Sequence, residues 1–312
     1  MRLRFNLRPD QLFATVLCCL LLLLQGGFEP VEGFLDQQSE KMISYISFQP
    51  YPQVVAPNYS VLDDPFTNVS ARSYLIIDPD SATILKSRNL FLPLHPASTV
   101  KLMTALVAFD TYELDQVLAA ESAQNALGNK VGFTRGAAIS VKDLLAAILV
   151  NSGNDAAEIL ANNHPEGYQG FIDQMNQKAT QLSMHQTSFA NPTGIDDYRQ
   201  LTTSWDLSIL AREILKNPLL SELISTKTFQ IKDQLTGYQY NLYNTNQLLH
   251  QLDQIKGMKT GTTVYAQQVL VSLWQEEDHS LLIVVMGSLD RYADTLELIE
   301  WIKENVVWIE QQ

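Results

Sequence analysis

The stretch Pro96-Ala97-Ser98-Thr99-Val100-Lys101-Leu102-Met103-Thr104 decides the fold. It leads into an apolar run from Leu102 to Phe109, and apolar side chains surround that run on nearly every side, which predicts a helix buried all round. Ser98 and Lys101 are three residues apart, so on a helix they lie on one face, one turn apart. Ser98 is therefore a candidate nucleophile with an amine beside it. A lone S-x-x-K is more often an N-cap followed by a solvated lysine, so other motifs must decide.

Two further motifs follow in the chain. Ser152-Gly153-Asn154 comes directly after a second apolar helix, predicted over 141–150 with Ser140 as its N-cap, and we expect Gly153 to break that helix. Lys259-Thr260-Gly261 lies in a predicted strand, where Gly261 leaves room for another backbone to approach. Each triplet is weak alone, since Ser87-Arg88-Asn89 has the same form as the first. Together and in this order they indicate a serine enzyme.

Strands are predicted near both ends of the chain and helices between them. An early hairpin joins a strand at 72–78 to one at 82–86, and later strands are predicted at 226–232, 238–243, 257–263, 268–274 and 281–287. Helices are predicted at 155–163, 168–184 and 205–215, and an amphipathic helix at 295–308 closes the chain. This order predicts an α+β fold, in which helices flank an antiparallel sheet built from both ends of the chain and a helical part is inserted.

Charge and composition exclude several classes of function. The 312 residues carry a formal net charge of -13 and no basic cluster, so we expect no nucleic-acid partner. Both cysteines, Cys18 and Cys19, fall in an N-terminal apolar run, which leaves the rest of the chain without a disulfide, a thiol nucleophile or a thiolate metal site. The five histidines are scattered and show no H-E-x-x-H pair, and we expect neither a metal nor a cofactor.

The motifs and their neighbours resemble the low-molecular-mass penicillin-binding proteins, and more narrowly the D-alanyl-D-alanine carboxypeptidases. The resemblance rests on the opening stretch and on three others, which are Asn151-Ser-Gly-Asn-Asp-Ala-Ala157, Asn191-Pro-Thr-Gly194 and Gly257-Met-Lys-Thr-Gly-Thr262. It implies a β-lactamase/transpeptidase-like fold, peptidoglycan peptides ending in D-Ala-D-Ala as substrates, and β-lactams as acylating inhibitors. The chain departs from the family where Ala266-Gln267 replaces the usual Ala-Gly, and where Ala82 replaces the usual glycine of the first hairpin turn.

The resemblance also implies a role for each residue of the site. Ser98 would be the nucleophile, and a neutral Lys101 would be its base, with its pKa lowered by burial and by Lys259. Ser152 would relay a proton to the leaving amine, and the backbone N–H groups of Ser98 and Thr262 would form the oxyanion hole. The substrate would be bound by the set Asn154, Lys259, Thr260, Gly261, Thr262 and Arg291.

The N-terminus resembles an export signal. Three arginines precede the apolar run 12–24, which is shorter than the about 20 residues that a spanning helix needs. No clear cleavage site follows, so a cleaved signal and an uncleaved anchor both remain open. We therefore predict a signal peptide or anchor at 1–29, a linker or N-terminal wrap at 30–70 and the serine peptidase domain at 71–312. The domain would lie outside the cytoplasm, in the periplasm or at the outer face of the membrane, touching that membrane only through the N-terminal segment.

Three alternatives remain. A D,D-endopeptidase that cuts peptidoglycan cross-links would use the same residues. A class A β-lactamase would need a deacylating base such as Glu166, but the residues after Glu166 do not fit that class, and we expect Glu166 to be a loop residue. A non-catalytic wall-binding module would not need all three motifs intact.

Overall fold

A computed structural model describes residues 59–61, 68–121 and 126–308. Its strands are β1 (Tyr59–Val61), β2 (Ser73–Ile77), β3 (Ile84–Arg88), β4 (Val117–Ala119), β5 (Ala138–Ser140), β6 (Thr228–Lys232), β7 (Gln239–Tyr243), β8 (Ile255–Thr263), β9 (Gln267–Glu276), β10 (His279–Ser288) and β11 (Val306–Trp308). Its α-helices are α1 (Lys101–Thr111), α2 (Val141–Leu149), α3 (Asn154–Asn162), α4 (Gly167–Gln181), α5 (Ser204–Lys216), α6 (Pro218–Ser225), α7 (Gln247–Gln251) and α8 (Arg291–Asn305), and a 3₁₀ turn (Ala97–Val100) precedes α1.

The central sheet has five antiparallel strands in the order β3-β2-β10-β9-β8. The late strand β10 pairs with the early strand β2, so early and late parts of the chain build one sheet, as predicted. The motif Lys259-Thr260-Gly261 lies on β8, which is an edge strand of this sheet. The predicted α+β class, with helices flanking an antiparallel sheet and a helical part inserted, is confirmed.

Apolar side chains cover both faces of the sheet, because alternate residues of a strand point to opposite faces. Leu75 and Ile77 of β2 belong to the first core, which includes most of α1 and α2. Tyr74 and Ile76 belong to the second core, which α8 covers. The two cores explain why the strands read as nearly continuous apolar runs rather than as alternating ones.

The inserted helical part stands on the first core. Residues 101 to 108 of α1 are all buried, which confirms the helix buried all round. Helix α2 begins as predicted, since the side chain of Ser140 accepts a hydrogen bond of 3.2 Å from the N–H of Asp143. Ser152 and Gly153 lie in the short connection between α2 and α3, and Asn154 is the first residue of α3 and not a loop residue.

Two sequence predictions about helix ends were wrong. The closing helix begins at Arg291 and not at 295, because the carboxylate of Asp290 caps it by accepting from the N–H groups of Tyr292 and Ala293. It ends at Asn305, where the chain turns into β11. The break after α2 is not made by Gly153, whose φ is -63°, but by Ser152, which takes the left-handed value of 59°.

The two departures from the family's glycines fall where the backbone favours glycine. Ala82 has a φ of 59° and Gln267 one of 57°, both in the left-handed region. A side chain there costs roughly 1–2 kcal/mol relative to the ordinary region. The first hairpin turn and the start of β9 therefore adopt a left-handed backbone conformation that favours glycine, although neither position carries glycine.

The predicted export segment at 1–29 lies outside the described residues, as does nearly all of the predicted linker. Strand β1 pairs with β11 in antiparallel register, so this part of the 30–70 stretch contacts the end of the domain. Ser70 adds a second tie, since its N–H and hydroxyl donate to the carboxylate of Asp294 at 2.7 and 2.8 Å. In the described ranges, no helix has the length and apolar character that crossing a membrane requires.

Candidate active site

The nucleophile lies on the 3₁₀ turn that precedes α1. Ser98 is partly exposed, and its turn packs against β8. Lys101 begins α1 one turn later, and its Nζ lies 3.0 Å from Ser98 Oγ. The spacing of three residues therefore does bring the hydroxyl and the amine into hydrogen-bond contact.

Lys101 is completely buried, although it carries an amine. Its Nζ donates to the backbone carbonyl of Thr193 at 2.5 Å, and the same carbonyl lies 3.5 Å from Ser98 Oγ. Burial lowers the pKa of Lys101 well below its ordinary value, and the positive charge of Lys259 lowers it further. A lowered pKa favours the neutral amine, which is the form that can accept the proton of Ser98.

The loop Asn191-Pro-Thr-Gly194 holds the Thr193 carbonyl in place. The side-chain oxygen of Asn191 accepts from the N–H groups of Thr193 and Gly194 at 3.2 and 2.8 Å, which closes an Asx turn. Gly194 has a φ of +88°, and a Cβ there would lie 2.0 Å from the carbonyl oxygen of Ala97. The sequence showed this motif as a turn, but the contact of its carbonyl with Lys101 has no sequence signal.

A second hydroxyl–amine pair lies near the first, since the charge of Lys259 acts on Lys101, and Gly261, two residues after Lys259, contacts the Ser98 turn. Lys259 on β8 donates from Nζ to Ser152 Oγ at 2.8 Å and to the carbonyl of Thr260 at 3.1 Å. Both Lys259 and Ser152 are buried. Burial, followed by the charge of Arg291, lowers the pKa of Lys259 to about 7. The left-handed backbone of Ser152 is the local feature that turns its hydroxyl toward this lysine.

Asn154 is held by its amide nitrogen. That nitrogen donates to the carbonyl of Leu127 at 2.5 Å, while the side-chain oxygen is buried and has no hydrogen-bond partner among the described residues. A buried acceptor without a partner is costly, so it indicates a group reserved for a ligand. The N–H of a peptide bond in the cleft would satisfy it.

Strand β8 and Arg291 complete the site. Gly261 brings β8 against the nucleophile turn, because a Cβ on Gly261 would lie 2.8 Å from both Ala97 Cβ and Ser98 N. Arg291 donates from one nitrogen to the carbonyl of Gly261 and to the hydroxyl of Thr262, both at 2.7 Å. The structure thus brings all nine sequence-predicted site residues together.

Asp155 lies in the motif at 151–157, but that motif indicated no role for it. It is fully buried, and its carboxylate accepts from the N–H groups of Val131, Gly132 and Phe133 at 2.8–3.3 Å. Asn154 adds a backbone bond of 2.7 Å to the carbonyl of Asn129. Together these bonds fix the loop 127–133, which supplies the Leu127 carbonyl to Asn154.

The remaining candidates lie elsewhere. Glu166 is exposed on the loop before α4, where its N–H donates to His164 Nδ1 at 3.2 Å. That position agrees with its prediction as a loop residue. Within the described ranges, no group of three or more His, Cys, Asp and Glu side chains could hold a metal ion.

The fold and the site can now be compared with known proteins. A D-alanyl-D-alanine carboxypeptidase from Mycobacterium tuberculosis H37Rv has a similar solved structure, with a TM-score of 0.71 and 25% identity over 82% of this chain and 100% of that one. The class of protein is therefore a serine peptidase with the penicillin-binding fold.

The family follows from the sequence comparisons. The family model described as D-alanyl-D-alanine carboxypeptidase matches residues 60–289. The D-alanyl-D-alanine carboxypeptidase DacF of Bacillus subtilis is 30% identical over 70% of this chain, and the D-alanyl-D-alanine endopeptidase of Escherichia coli is 31% identical over 82% of it. The chain belongs to the D-alanyl-D-alanine carboxypeptidase family. It spans 57% of the length of the Bacillus subtilis relative and 84% of the Escherichia coli one.

Proposed function

We propose that the protein is a serine-type D-alanyl-D-alanine carboxypeptidase, which removes the terminal D-alanine from peptidoglycan stem peptides through an acyl-enzyme on Ser98. The observation that carries this proposal is the pair formed by the Ser98 hydroxyl and the fully buried Lys101 amine, 3.0 Å apart. The family match supports the substrate class, since the family model that matches residues 60–289 is described as D-alanyl-D-alanine carboxypeptidase.

Acylation uses Lys101 as the base. Neutral Lys101 takes the proton of Ser98, and Ser98 Oγ attacks the carbonyl carbon between the two D-alanines. The carbonyl becomes an oxyanion, which the backbone N–H groups of Ser98 and Thr262 stabilise. One such donor contributes about 3 kcal/mol to the transition state. Gly261 is needed here, because a larger residue would push β8 away from the Ser98 N–H.

Ser152 and Lys259 assist the departure of the leaving group. Ser152 gives its proton to the nitrogen of the departing D-alanine and regains the proton that Lys101 took from Ser98, so Lys101 is neutral again. Lys259, whose Nζ lies 2.8 Å from Ser152 Oγ, holds that hydroxyl in place. The C–N bond breaks and an ester of Ser98 remains. Lys101 then removes a proton from water, the water oxygen attacks the ester carbonyl, the bond to Ser98 Oγ breaks, and Lys101 returns the proton to Ser98.

Cationic groups explain the requirement for a terminal carboxylate. Lys259 lies on β8, Arg291 donates to Gly261 and Thr262 of the same strand, and Thr260 lies between these positions in the chain. A carboxylate there would receive charge-assisted hydrogen bonds. β-Lactams carry a carboxylate next to their reactive amide, so they would acylate Ser98 and inhibit the enzyme. The substrate lies in the wall, so export through the N-terminal segment is part of the proposal.

Product analysis tests the proposal. The purified protein is incubated with a stem pentapeptide ending in D-Ala-D-Ala, and products are followed by mass. We expect release of free D-alanine from the wild type and none from Ser98→Ala. D-Alanine release by Ser98→Ala at the wild-type rate would overturn the mechanism.

A D,D-endopeptidase is the second candidate, favoured by one observation. The endopeptidase relatives from Escherichia coli and Pseudomonas aeruginosa match over 82% and 77% of this chain, and the chain spans 84% and 79% of their lengths. The same incubation with a cross-linked peptide dimer separates the two functions. Splitting of the dimer without release of D-alanine from the pentapeptide would establish the endopeptidase.

A further inference from the structure

A short loop before α7 brings a hydroxyl against the carboxylate-binding end of the cleft. Thr245 Oγ1 lies 2.7 Å from Thr260 Oγ1, and either oxygen can be the donor. Thr260 is buried and Thr245 is half-buried. Thr245 belongs to none of the motifs that the sequence revealed, and the reaction described above gives it no role.

The backbone of Thr245 is fixed from both sides. Its N–H donates to the carbonyl of Val150 at 3.3 Å, two residues before Ser152. Its carbonyl accepts from the hydroxyl of Tyr292 at 3.1 Å, and the ring of Tyr292 stacks under the guanidinium of Arg291 at 5.0 Å. Thr245 is thus linked to the Ser152 loop, to β8 and to the start of α8.

Two asparagines hold this loop in shape. Asn244 donates from its amide to the carbonyl of Thr226 at 2.9 Å, and its side-chain oxygen accepts from the N–H of Asn246 at 2.9 Å. Asn246 in turn caps α7 by accepting from Leu248 at 3.1 Å. The Thr245 hydroxyl therefore meets Thr260 on a backbone that does not need to rearrange.

Proton counting at Thr260 gives Thr245 a definite task. A hydroxyl has one proton to donate and two lone pairs that accept, whereas a carboxylate only accepts. When a carboxylate binds at Thr260, the Thr260 proton must point to it, and the short contact to Thr245 is then kept only if Thr245 donates. A chain of hydrogen bonds that ends on a charge strengthens each member.

We propose that Thr245 is a positioning residue for the substrate carboxylate, which donates its hydroxyl proton to Thr260 and thereby directs the Thr260 proton toward the carboxylate. The inference rests on the proposed function, since it deepens the account of the same site. It also applies to any ligand that carries a carboxylate at this end of the cleft, including a penicillin.

The test compares two forms of one acylating ligand. Acylation of Ser98 by benzylpenicillin and by its uncharged methyl ester is followed by intact-protein mass for the wild type, Thr245→Val and Thr245→Ser. We expect Thr245→Val to slow acylation by benzylpenicillin roughly three- to tenfold, because a single neutral hydrogen bond is lost. The rate with the methyl ester should stay within about twofold, which also shows that the site is folded, and Thr245→Ser should restore the rate with benzylpenicillin.

A matched control uses the other pair of threonine hydroxyls. Thr187 Oγ1 lies 2.8 Å from Thr202 Oγ1, outside the site residues described above, and Thr187 is also half-buried. Thr187→Val should leave the ratio of the two rates unchanged. Equal slowing of both ligands in Thr245→Val, or no slowing of either, would overturn the inference.

The outcome separates this inference from the proposed function. A wild type that is acylated by benzylpenicillin but releases no D-alanine from a pentapeptide would refute the carboxypeptidase, and the Thr245 comparison would still decide the inference. Failure of benzylpenicillin to acylate the wild type would overturn the inference itself.

Discussion

Lys101 and Lys259 carry the same amine, but their neighbours give them different tasks. Each meets one hydroxyl and one backbone carbonyl, but Lys101 contacts Ser98 and Thr193, while Lys259 contacts Ser152 and Thr260 and lies near Arg291. Burial lowers the pKa of both, the charge of Lys259 lowers that of Lys101 further, and the charge of Arg291 lowers that of Lys259 to about 7. A lowered pKa suits Lys101 as a base, whereas Lys259 keeps charge below about pH 7 to bind an anion.

Replacement of Lys101 tests its role as the base. Lys101→Met keeps the length of the buried side chain and removes the amine. We expect acylation of Ser98 by benzylpenicillin to fall by about 10²–10⁴-fold, the usual contribution of a general base. The rate is measured by intact-protein mass, and cooperative thermal unfolding shows that the variant is folded.

The control for this prediction is a lysine on the protein surface. Lys142 is exposed on α2, and Lys142→Met should acylate at the wild-type rate. A Lys101→Met variant that is folded and acylates within a few-fold of the wild type would show that another group removes the Ser98 proton.

The pH dependence of substrate selection tests Lys259. In the free enzyme its pKa is about 7, so its charge is present below that pH and is lost as pH rises through it. We therefore expect kcat/KM for a carboxylate substrate, divided by that for its uncharged ester, to fall as pH rises above about 7, because kcat/KM reports groups of the free enzyme. In Lys259→Met the ratio should be low and should not change with pH between about 6 and 9. A wild-type ratio that is flat over the same range would contradict the assignment.

At the scale of the elements, Asp155 joins the start of α3 to the loop 127–133. Its carboxylate takes three backbone N–H groups in a buried setting, and hydrogen bonds to a charged group contribute more than neutral ones. The loop in turn presents the Leu127 carbonyl to Asn154. The order of this wall of the cleft therefore depends on one charge.

Asp155→Asn removes that charge with little change of shape. We expect the free energy of unfolding to fall by about 1–3 kcal/mol, measured by urea denaturation, and the amides of residues 131–133 to exchange faster with deuterium. Asp155 also raises the pKa of Lys101, so its removal should move the acid limb of acylation to lower pH. The matched change Asp173→Asn, on the exposed side of α4, should alter none of these quantities. Unchanged exchange at 131–133 would show that the carboxylate does not hold the loop.

The elements also show how far the sequence could predict this molecule. The buried α1, the S-x-x-K contact and the strand that carries Lys259 followed from periodicity and spacing, because these are local properties of the chain. The closing helix was misplaced because its cap, Asp290, precedes the apolar pattern by several residues. The helix break predicted at Gly153 lies at Ser152, which has the left-handed backbone and whose hydroxyl meets Lys259 from a strand far along the chain.

Contacts between distant backbone segments could not be predicted from the sequence. The carbonyl of Thr193 has no side-chain signature, although it holds Lys101 from 92 residues away. The same holds for the carbonyl of Leu127 and for the hydroxyl pair of Thr245 and Thr260. Such partners depend on how loops meet in the folded chain, which residue types alone do not specify.

At the scale of the whole molecule, the sheet separates two cores with different relations to the site. The first core includes α1, which begins with Lys101, whereas the second core includes α8, which begins with Arg291. The second core holds α8 against the sheet and receives the early residues Val69 and Ala71. Stability is therefore shared by both cores, while the geometry of the nucleophile depends mainly on the first.

Equal truncations in the two cores should separate stability from activity. Ile302 in the second core and Leu102 in the first are both almost fully buried, so Ile302→Ala and Leu102→Ala should each lower the free energy of unfolding by about 2–5 kcal/mol in urea. Leu102→Ala lies next to Lys101 on α1, and a shift of that helix of about 1 Å can cost on the order of 10²-fold in rate. We expect Ile302→Ala, assayed well below its unfolding temperature, to acylate with benzylpenicillin at the wild-type rate, whereas Leu102→Ala should be slower by tenfold or more, on the order that such misplacement produces. Equal rates for the two variants would show that the sheet transmits a cavity in either core to Ser98, and that the two cores form one mechanical unit.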